Sequence, residues 1–370
     1  MFIYSMQRAI ELGIIQEKEY ANCIKRGYIG LLSKVRINKD DGLIDLCDAN
    51  NGLGIQKDYD AYVTRPRKRN GQEVISSFLW ATTIVENKKD RISYVKPSPC
   101  KTFVCTDYSQ GKVFVFEKGE KVWEHDAPLS NDIWVLDNGN LLFTKGNGVL
   151  EVTRNNDTIF QYTSQSHVFA CQRLTNGNTF VGECESGRLL EVDSNGKIVK
   201  DLSILPLGTT NGKKSFMRNA RKLENGHYLV AHYGGKRVVE YDENGNIYWE
   251  VPVSGGAHSV IRLPNGNTLV AVTDMDKNPR IVEFNSDKNI VWEFSNKDIE
   301  GAPLRFLSGM QYIPGMGIVF TNWTGHVKEK VPYIYWVDWN KNIIETFGPC
   351  ADIESVSSVF IPLKNEKVYH

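Results

Sequence analysis

The sequence predicts a mainly β protein: a six-bladed β-propeller closed by its C-terminal strand and preceded by a short α-helical segment. Three observations carry this expectation. The chain changes texture near residue 92, from helical spacing of apolar residues to short alternating runs. From residue 94 onward it is self-similar at about 40–50 residues, the period of propeller blades. A second hairpin pattern recurs six times over about 277 residues, so each unit spans about 46. Composition agrees: 31 glycines and 40 aromatics (16 Phe, 8 Trp, 16 Tyr) in 370 residues suit a chain of many strands and turns. Lys plus Arg and Asp plus Glu are both 44, a balance that advertises no nucleic-acid surface. No apolar run approaches the roughly 18 residues of a membrane helix.

In residues 1–36 the apolar positions Met6, Ile10, Ile14 and Ile15, then Tyr20, Cys23, Ile24, Tyr28 and Leu32, recur at spacings of three and four. That spacing predicts two amphipathic helices, with Gly13 ending the first and Gly27 interrupting or ending the second. A turn-rich stretch follows, then a third helix over 74–85 and a solvated connector at Lys88–Arg91. The N-terminus has no basic region, apolar stretch or cleavage site of a secretion signal, which reads as cytoplasmic for the chain as written. Seven scattered cysteines with no Cys-x-x-Cys pair predict neither a disulfide framework nor a structural zinc site. Cys171 and Cys184 are expected to be small buried strand residues.

Ser5-Met6-Gln7-Arg8-Ala9-Ile10, Gly27-Tyr28-x-Gly30-Leu31-Leu32, Asp41-Gly42-Leu43-Ile44-Asp45-Leu46, Gly52-Leu53-Gly54 and Phe78-Leu79-Trp80-Ala81 resemble the C-terminal end of glycoside hydrolases of families 88 and 105. The resemblance covers residues 1–87. It implies that residues 1–91 are part of an (α/α)₆ barrel of the kind that removes unsaturated uronic acids from pectin-type oligosaccharides. The family's catalytic aspartates lie upstream of the matched segment, so no catalytic residue carries over. A periplasmic or extracellular home would follow if the chain were truncated from a longer secreted protein.

Residues 92–370 form the second expected domain. Its first hairpin reads Ile133-Trp134-Val135-Leu136-Asp137-Asn138-Gly139-Asn140, and recurs around Asn176-Gly177, Asn225-Gly226 and Asn265-Gly266 and, degraded, around Pro314-Gly315. Asn-Gly between alternating strands signals a hairpin, because both residues tolerate positive φ. The second hairpin runs through Val113–Glu124, Leu150–Phe160, Leu190–Val199, Val239–Glu250, Val282–Glu293 and Tyr335–Ile344. The first unit lacks a leading strand, and Ser357–Ile361 is an orphan one; pairing the two closes the ring and removes its exposed edges. Trp-Glu pairs on the outer strands are expected to pack between blades.

Ala170-Cys171-Gln172-Arg173-Leu174, Met217-Arg218-Asn219-Ala220-Arg221, Ala231-His232-Tyr233-Gly234 and Thr321-Asn322-Trp323-x-Gly325-His326 resemble a family of propellers labelled PQQ-like and associated with polysaccharide-degrading enzymes. The resemblance supplies architecture more than chemistry. Quinoprotein dehydrogenases use eight blades and a Trp docking motif, so bound PQQ is not expected.

Propellers place ligands on the face where first strands start and second strands end. There the sequence puts Asn131, Glu183, Arg218, Asn219, His232, His258, Asp274, Asn322, Trp323 and His326, with Arg221 a step or two further down its strand. The alternative is a polar channel lining with no ligand. Arg218 and Arg221 suit a carboxylate, since a guanidinium offers two parallel donors; Trp323 or Tyr233 would stack on a sugar ring. No cofactor is expected. A divalent metal is the one alternative left open, through His232, His258 and His326 with Glu183 or Asp274.

Three functions follow from these residues. The propeller binds an acidic, uronate-containing oligosaccharide or small molecule; or it is itself a lyase, hydrolase or lactonase with a metal in the funnel; or it is a protein-interaction scaffold. No nucleophile elbow, phosphate loop, dinucleotide fingerprint or zinc-protease helix favours the enzyme.

Overall fold

The computed structural model describes residues 2–12, 14–38, 43–50, 57–64, 67–90, 100–204, 216–273, 278–301, 304–325, 330–363 and 368–370. The chain divides into two compact units, Met1–Pro97 and Ser98–His370.

In the first unit three helices, Phe2–Glu11, Glu17–Leu32 and Gln72–Asp90, pack against one another. The second helix runs straight through Gly27, against the expected break. A Cβ at that position would lie 3.2 Å from the Ile3 side chain, so the glycine permits close approach of two helices rather than a stop. The third helix extends past the expected 74–85 at both ends. The intervening stretch, expected as turns, holds two short antiparallel pairs (Val35–Ile37 with Ile44–Leu46, Ala49–Asn50 with Arg67–Lys68) and a five-residue helix, Tyr59–Val63. Three-residue strands carry too little alternation to be seen in sequence. Gly13, Asp41-Gly42 and Gly52-Leu53-Gly54 lie outside the described residues.

The second unit is a six-bladed propeller of four-stranded antiparallel sheets. Blades 2 to 6 begin with innermost strands Ile133–Val135, Val168–Arg173, Asn219–Lys222, Gly256–Arg262 and Leu307–Ile313. Blade 1 is completed by the end of the chain: Val356–Phe360 pairs with Phe103–Asp107, in the register Val356↔Asp107, Ser358↔Thr106 and Phe360↔Val104. The Asp107 carboxylate fixes this closure by accepting from the backbone N–H groups of Glu354 (2.7 Å) and Ser355 (3.2 Å).

The Asn-Gly hairpins form, with a different turn from the expected one. Only the glycine takes positive φ (83–88° at Gly139, Gly177, Gly226 and Gly266). The asparagine before it uses its side chain instead, accepting at 3.0 Å from the N–H two residues on, as Asn138 does from Asn140. This is a three-residue loop closed by a left-handed glycine.

Blades are held to one another by a repeated device. Gln172 of blade 3 clasps the main chain of Lys222 in blade 4, accepting from its N–H (3.0 Å) and donating to its C=O (3.3 Å). Gln311 of blade 6 clasps Ile361 beside blade 1 in the same way, at 2.6 and 3.1 Å. Carboxylates reach the next blade's first strand in three successive pairs: Glu151 to Arg173, Glu191 to Lys222 and Glu240 to Arg262. Outer tryptophans also cross blades, Trp249 Nε1 donating to Ser286 O and Trp292 Nε1 to Trp339 O. The two cysteines, Cys171 and Cys184, are buried and free, and burial pushes both thiols up.

Candidate functional site

The first strands do not run evenly to the funnel face. Four of them bulge at their start: the register skips Phe169 in blade 3, His258 in blade 5, Ser308-Gly309 in blade 6 and Ser357 in blade 1. A bulge leaves a residue unpaired and re-aims its side chain, a common feature beside binding sites. Threonines of the second strands take up the hydrogen bonds freed this way. Thr321 Oγ1 accepts from Gly309 N (2.7 Å), and the Thr106 and Ser357 hydroxyls bond at 2.7 Å. Thr144 Oγ1 does the same for the irregular start of blade 2, accepting from Asn131 N at 2.9 Å.

The bulged residues and the loops around them enclose a cavity of about 150 Å³ lined by Tyr108, Asn131, Arg218, Tyr233, His258, Phe306, Ser308, Trp323 and Ser357. Among the described residues its one cation is Arg218. The guanidinium lies between two rings, with its carbon 4.9 Å from the Phe169 centroid and 5.1 Å from that of Tyr233. No carboxylate or hydrogen-bond acceptor meets it among the described residues, and its buried Nε has no partner. His258 packs edge-on against Phe306 (5.3 Å) and Tyr233 (6.1 Å). Burial, with the Arg218 charge beside it, pushes its pKa down to about 3, so the imidazole is neutral at pH 7. Burial raises the Tyr108 phenol, against the pull of Arg218. Among the described residues the cavity therefore combines one positive charge, a neutral imidazole, hydroxyls and four aromatic walls, with no lining carboxylate. That arrangement favours a small anion carrying a flat or apolar face.

Of the residues singled out in the sequence, Asn131, Arg218, Tyr233, His258 and Trp323 come together here. Asn322 sits behind the wall: its Oδ1 accepts from the N–H groups of Arg305 (2.7 Å) and Phe306 (3.3 Å), so it positions the ring that packs on His258. Arg221 and Asn219 face down the channel instead. Arg221 is already committed to a bidentate pair with Asp132 (2.7 and 2.9 Å), and its Nε donates to the His370 main-chain oxygen at 2.6 Å. The Asn219 amide oxygen, turned toward that guanidinium, accepts from both terminal nitrogens at 3.2 and 3.3 Å. Glu183 is buried under Arg188 (3.2 Å), Ser164 (2.6 Å) and Ser186 (2.5 Å). His232 shares a 2.8 Å hydrogen bond with the Tyr241 hydroxyl, and burial lowers its pKa to about 3. Asp274 and His326 lie outside the described residues. Among the described residues no three His, Cys, Asp or Glu side chains gather as metal ligands.

Phe169, Phe306 and Tyr108 escaped the sequence reading. Phe169 looks like an ordinary core residue of strand one, and only the bulge turns it under Arg218. Tyr108 directly follows the second strand Phe103–Asp107.

A separate cavity of about 480 Å³ opens on the hairpin face, lined among others by Trp134, Arg221, Tyr248, Arg262 and the segment Val368–His370.

Comparison with known proteins yields two partial family matches. Residues 1–88 match the model of Glycosyl Hydrolase Family 88, and residues 172–300 match that of Arylsulfotransferase (ASST). The propeller is similar to a solved Bacteroides caccae protein of unknown function, 23% identical with a TM-score of 0.63, covering 71% of this chain and 98% of that one. A virginiamycin B lyase from Staphylococcus aureus is 17% identical with a TM-score of 0.47, covering 69% of this chain and 86% of that one. A streptogramin B lyase is 14% identical with a TM-score of 0.49, covering 70% and 86%. The first of these shows the fold; likeness at the level of the two lyases carries no argument about chemistry. No curated protein matches the chain. Among the described residues, no helix is long and apolar enough to cross a membrane.

Proposed function

We propose that the propeller binds the acidic unit of a uronate-containing oligosaccharide in the cavity around Arg218. The observation that carries this reading is a half-buried guanidinium that meets no counter-ion among the described residues. Leaving such a charge unpaired costs stability, and a carboxylate ligand would restore the missing partner. The edges and faces of Tyr233, Phe306 and Trp323 offer the apolar wall a pyranose ring packs on. The match of residues 1–88 to Glycosyl Hydrolase Family 88 supports a carbohydrate ligand. Calorimetric titration with galacturonate and with galactose tests the reading, because the two differ only in the carboxylate. Binding of the acid alone, lost in Arg218→Ala, is the expected result; equal binding of both, or of neither, would sink it.

One observation favours a second reading. The segment matched to Arylsulfotransferase contains Arg218, Tyr233 and His258. An aryl sulfate is likewise an anion joined to a flat ring. Release of 4-nitrophenol from 4-nitrophenyl sulfate in the presence of a phenol acceptor would select this reading over the first.

A further inference from the structure

We infer that the Arg218 cavity is a blind cup, which takes the terminal acidic unit of its ligand and cannot thread a chain; this rests on the acidic-oligosaccharide reading above. A propeller channel filled with water would leave its lining exposed. Here Ser308 and Ser357 at the base of the cavity, and Asn219, Asp132, Arg221 and His370 below them, are only 1–5% exposed. The serines are hydrogen-bonded within a blade or to the next one. Ser357 Oγ donates to Ser130 O at 2.9 Å, and the Ser308 and Thr321 hydroxyls bond at 2.6 Å.

One layer further down, Arg221 of blade 4 and Asp132 at the start of blade 2 form their bidentate pair, although blade 3 separates them in the ring. His370 seats its Nε2 on the same carboxylate at 3.1 Å. Tyr369 O accepts from Tyr312 N of blade 6 at 2.9 Å, so the segment that carries His370 is tied to a third blade. The cavity on the hairpin face lies beyond this layer and shares no lining residue with the Arg218 cavity.

Size points the same way. About 150 Å³ is well below the roughly 300–1,000 Å³ of pockets that swallow a drug-sized ligand. It suits one ring-sized unit. With a closed floor, further units of a chain can only project outward through the mouth.

Two measurements on the full chain test this. In the first, mono-, di- and trigalacturonate and long polygalacturonate are titrated calorimetrically. The cup predicts dissociation constants per chain within about threefold across the series, and one protein bound per chain whatever its length. Affinity rising about tenfold per added unit, or stoichiometry growing with length, would overturn the cup while leaving the acidic-ligand reading intact. If none of the acids binds, that reading falls, and the second measurement still judges the cup. Phenylglyoxal labelling followed by peptide mass spectrometry should modify Arg218 at least about tenfold faster than Arg221, whose guanidinium is held in the floor by Asp132. Equal rates would mean an open channel. Asp132→Asn removes the charge that holds Arg221, and should raise Arg221 labelling in a protein that still closes its ring; unchanged protection would overturn the assignment of the floor to this pair.

Discussion

At the scale of single residues, two arginines three positions apart have opposite fates. Arg221 meets Asp132 and disappears into the channel floor, while Arg218 lies against two rings and meets no counter-ion among the described residues. An unpaired, half-buried cation is a cost the fold carries for some other benefit. Arg218→Met should therefore hold or raise Tm while reducing affinity for galacturonate at least about tenfold, measured by thermal melt and calorimetry on the same preparation. Arg218→Lys keeps the charge but not the planar fork, and should recover only part of the binding. The buried histidines set a pH dependence. His232 and His258 both have folded pKa values near 3, below the ordinary value of 6.5. Between those values the unfolded chain takes up protons that the folded chain refuses, so stability is full above about pH 6.5 and falls as pH drops toward 3, by roughly 1 kcal/mol per pH unit for each histidine. Melts from pH 7 to pH 4 check the slope, and His232→Gln should make it shallower.

At the scale of elements, the blade edges are joined by amide side chains that complete a neighbour's backbone. Removing Gln311 leaves the N–H and C=O of Ile361 buried without partners, a loss of about 1–3 kcal/mol for each group. Gln311→Ala should lower Tm more than an exposed-strand change such as Val199→Ala, and urea melts would give the difference. The bulges depend on close approach of main chains. A Cβ at Gly309 would sit 2.7 Å from Ser358 Cα, and one at Gly256 would sit 2.5 Å from the Tyr233 ring. The first clash falls between backbones of adjacent blades and the second on one flexible side chain. Gly309→Ala is accordingly expected to destabilise the fold, whereas Gly256→Ala should mostly preserve it and weaken ligand binding by displacing Tyr233 from Arg218.

At the scale of the whole molecule, the ring closes through the last strand. Val356–Phe360 supplies the innermost strand of a blade whose other three strands begin at Phe103, about 250 residues earlier in the chain. Its neighbours on both sides depend on it, through Ser308 with Val356 and through Ser357 with Ser130. Ending the chain before Val356 should abolish cooperative melting rather than merely lower its midpoint, which calorimetry would show. Ser98–His370, produced alone, should melt as one cooperative unit and keep the galacturonate affinity of the full chain, since every residue of the cavity lies within it.

The repeat, the number of blades and the closing strand could all be read from the chain, because a two-residue alternation and a recurring left-handed glycine are local demands that each hairpin must satisfy by itself. Arg218, His258, Trp323 and Asn131 were legible for the same reason: a strand's register decides which end of the blade a residue reaches. Sequence alone could not separate Arg218 from Arg221, nor show that Glu183 and His232 are spent on Arg188 and Tyr241. Those outcomes turn on partners many residues away or across a hairpin, and on burial that makes one partner obligatory. Nor could it reveal Phe169 beneath the guanidinium, since a bulge rotates one residue out of an alternation that otherwise places it in the core. What the tertiary structure alone decided is which polar groups were consumed in holding six blades together and that Arg218, among the described residues, was not.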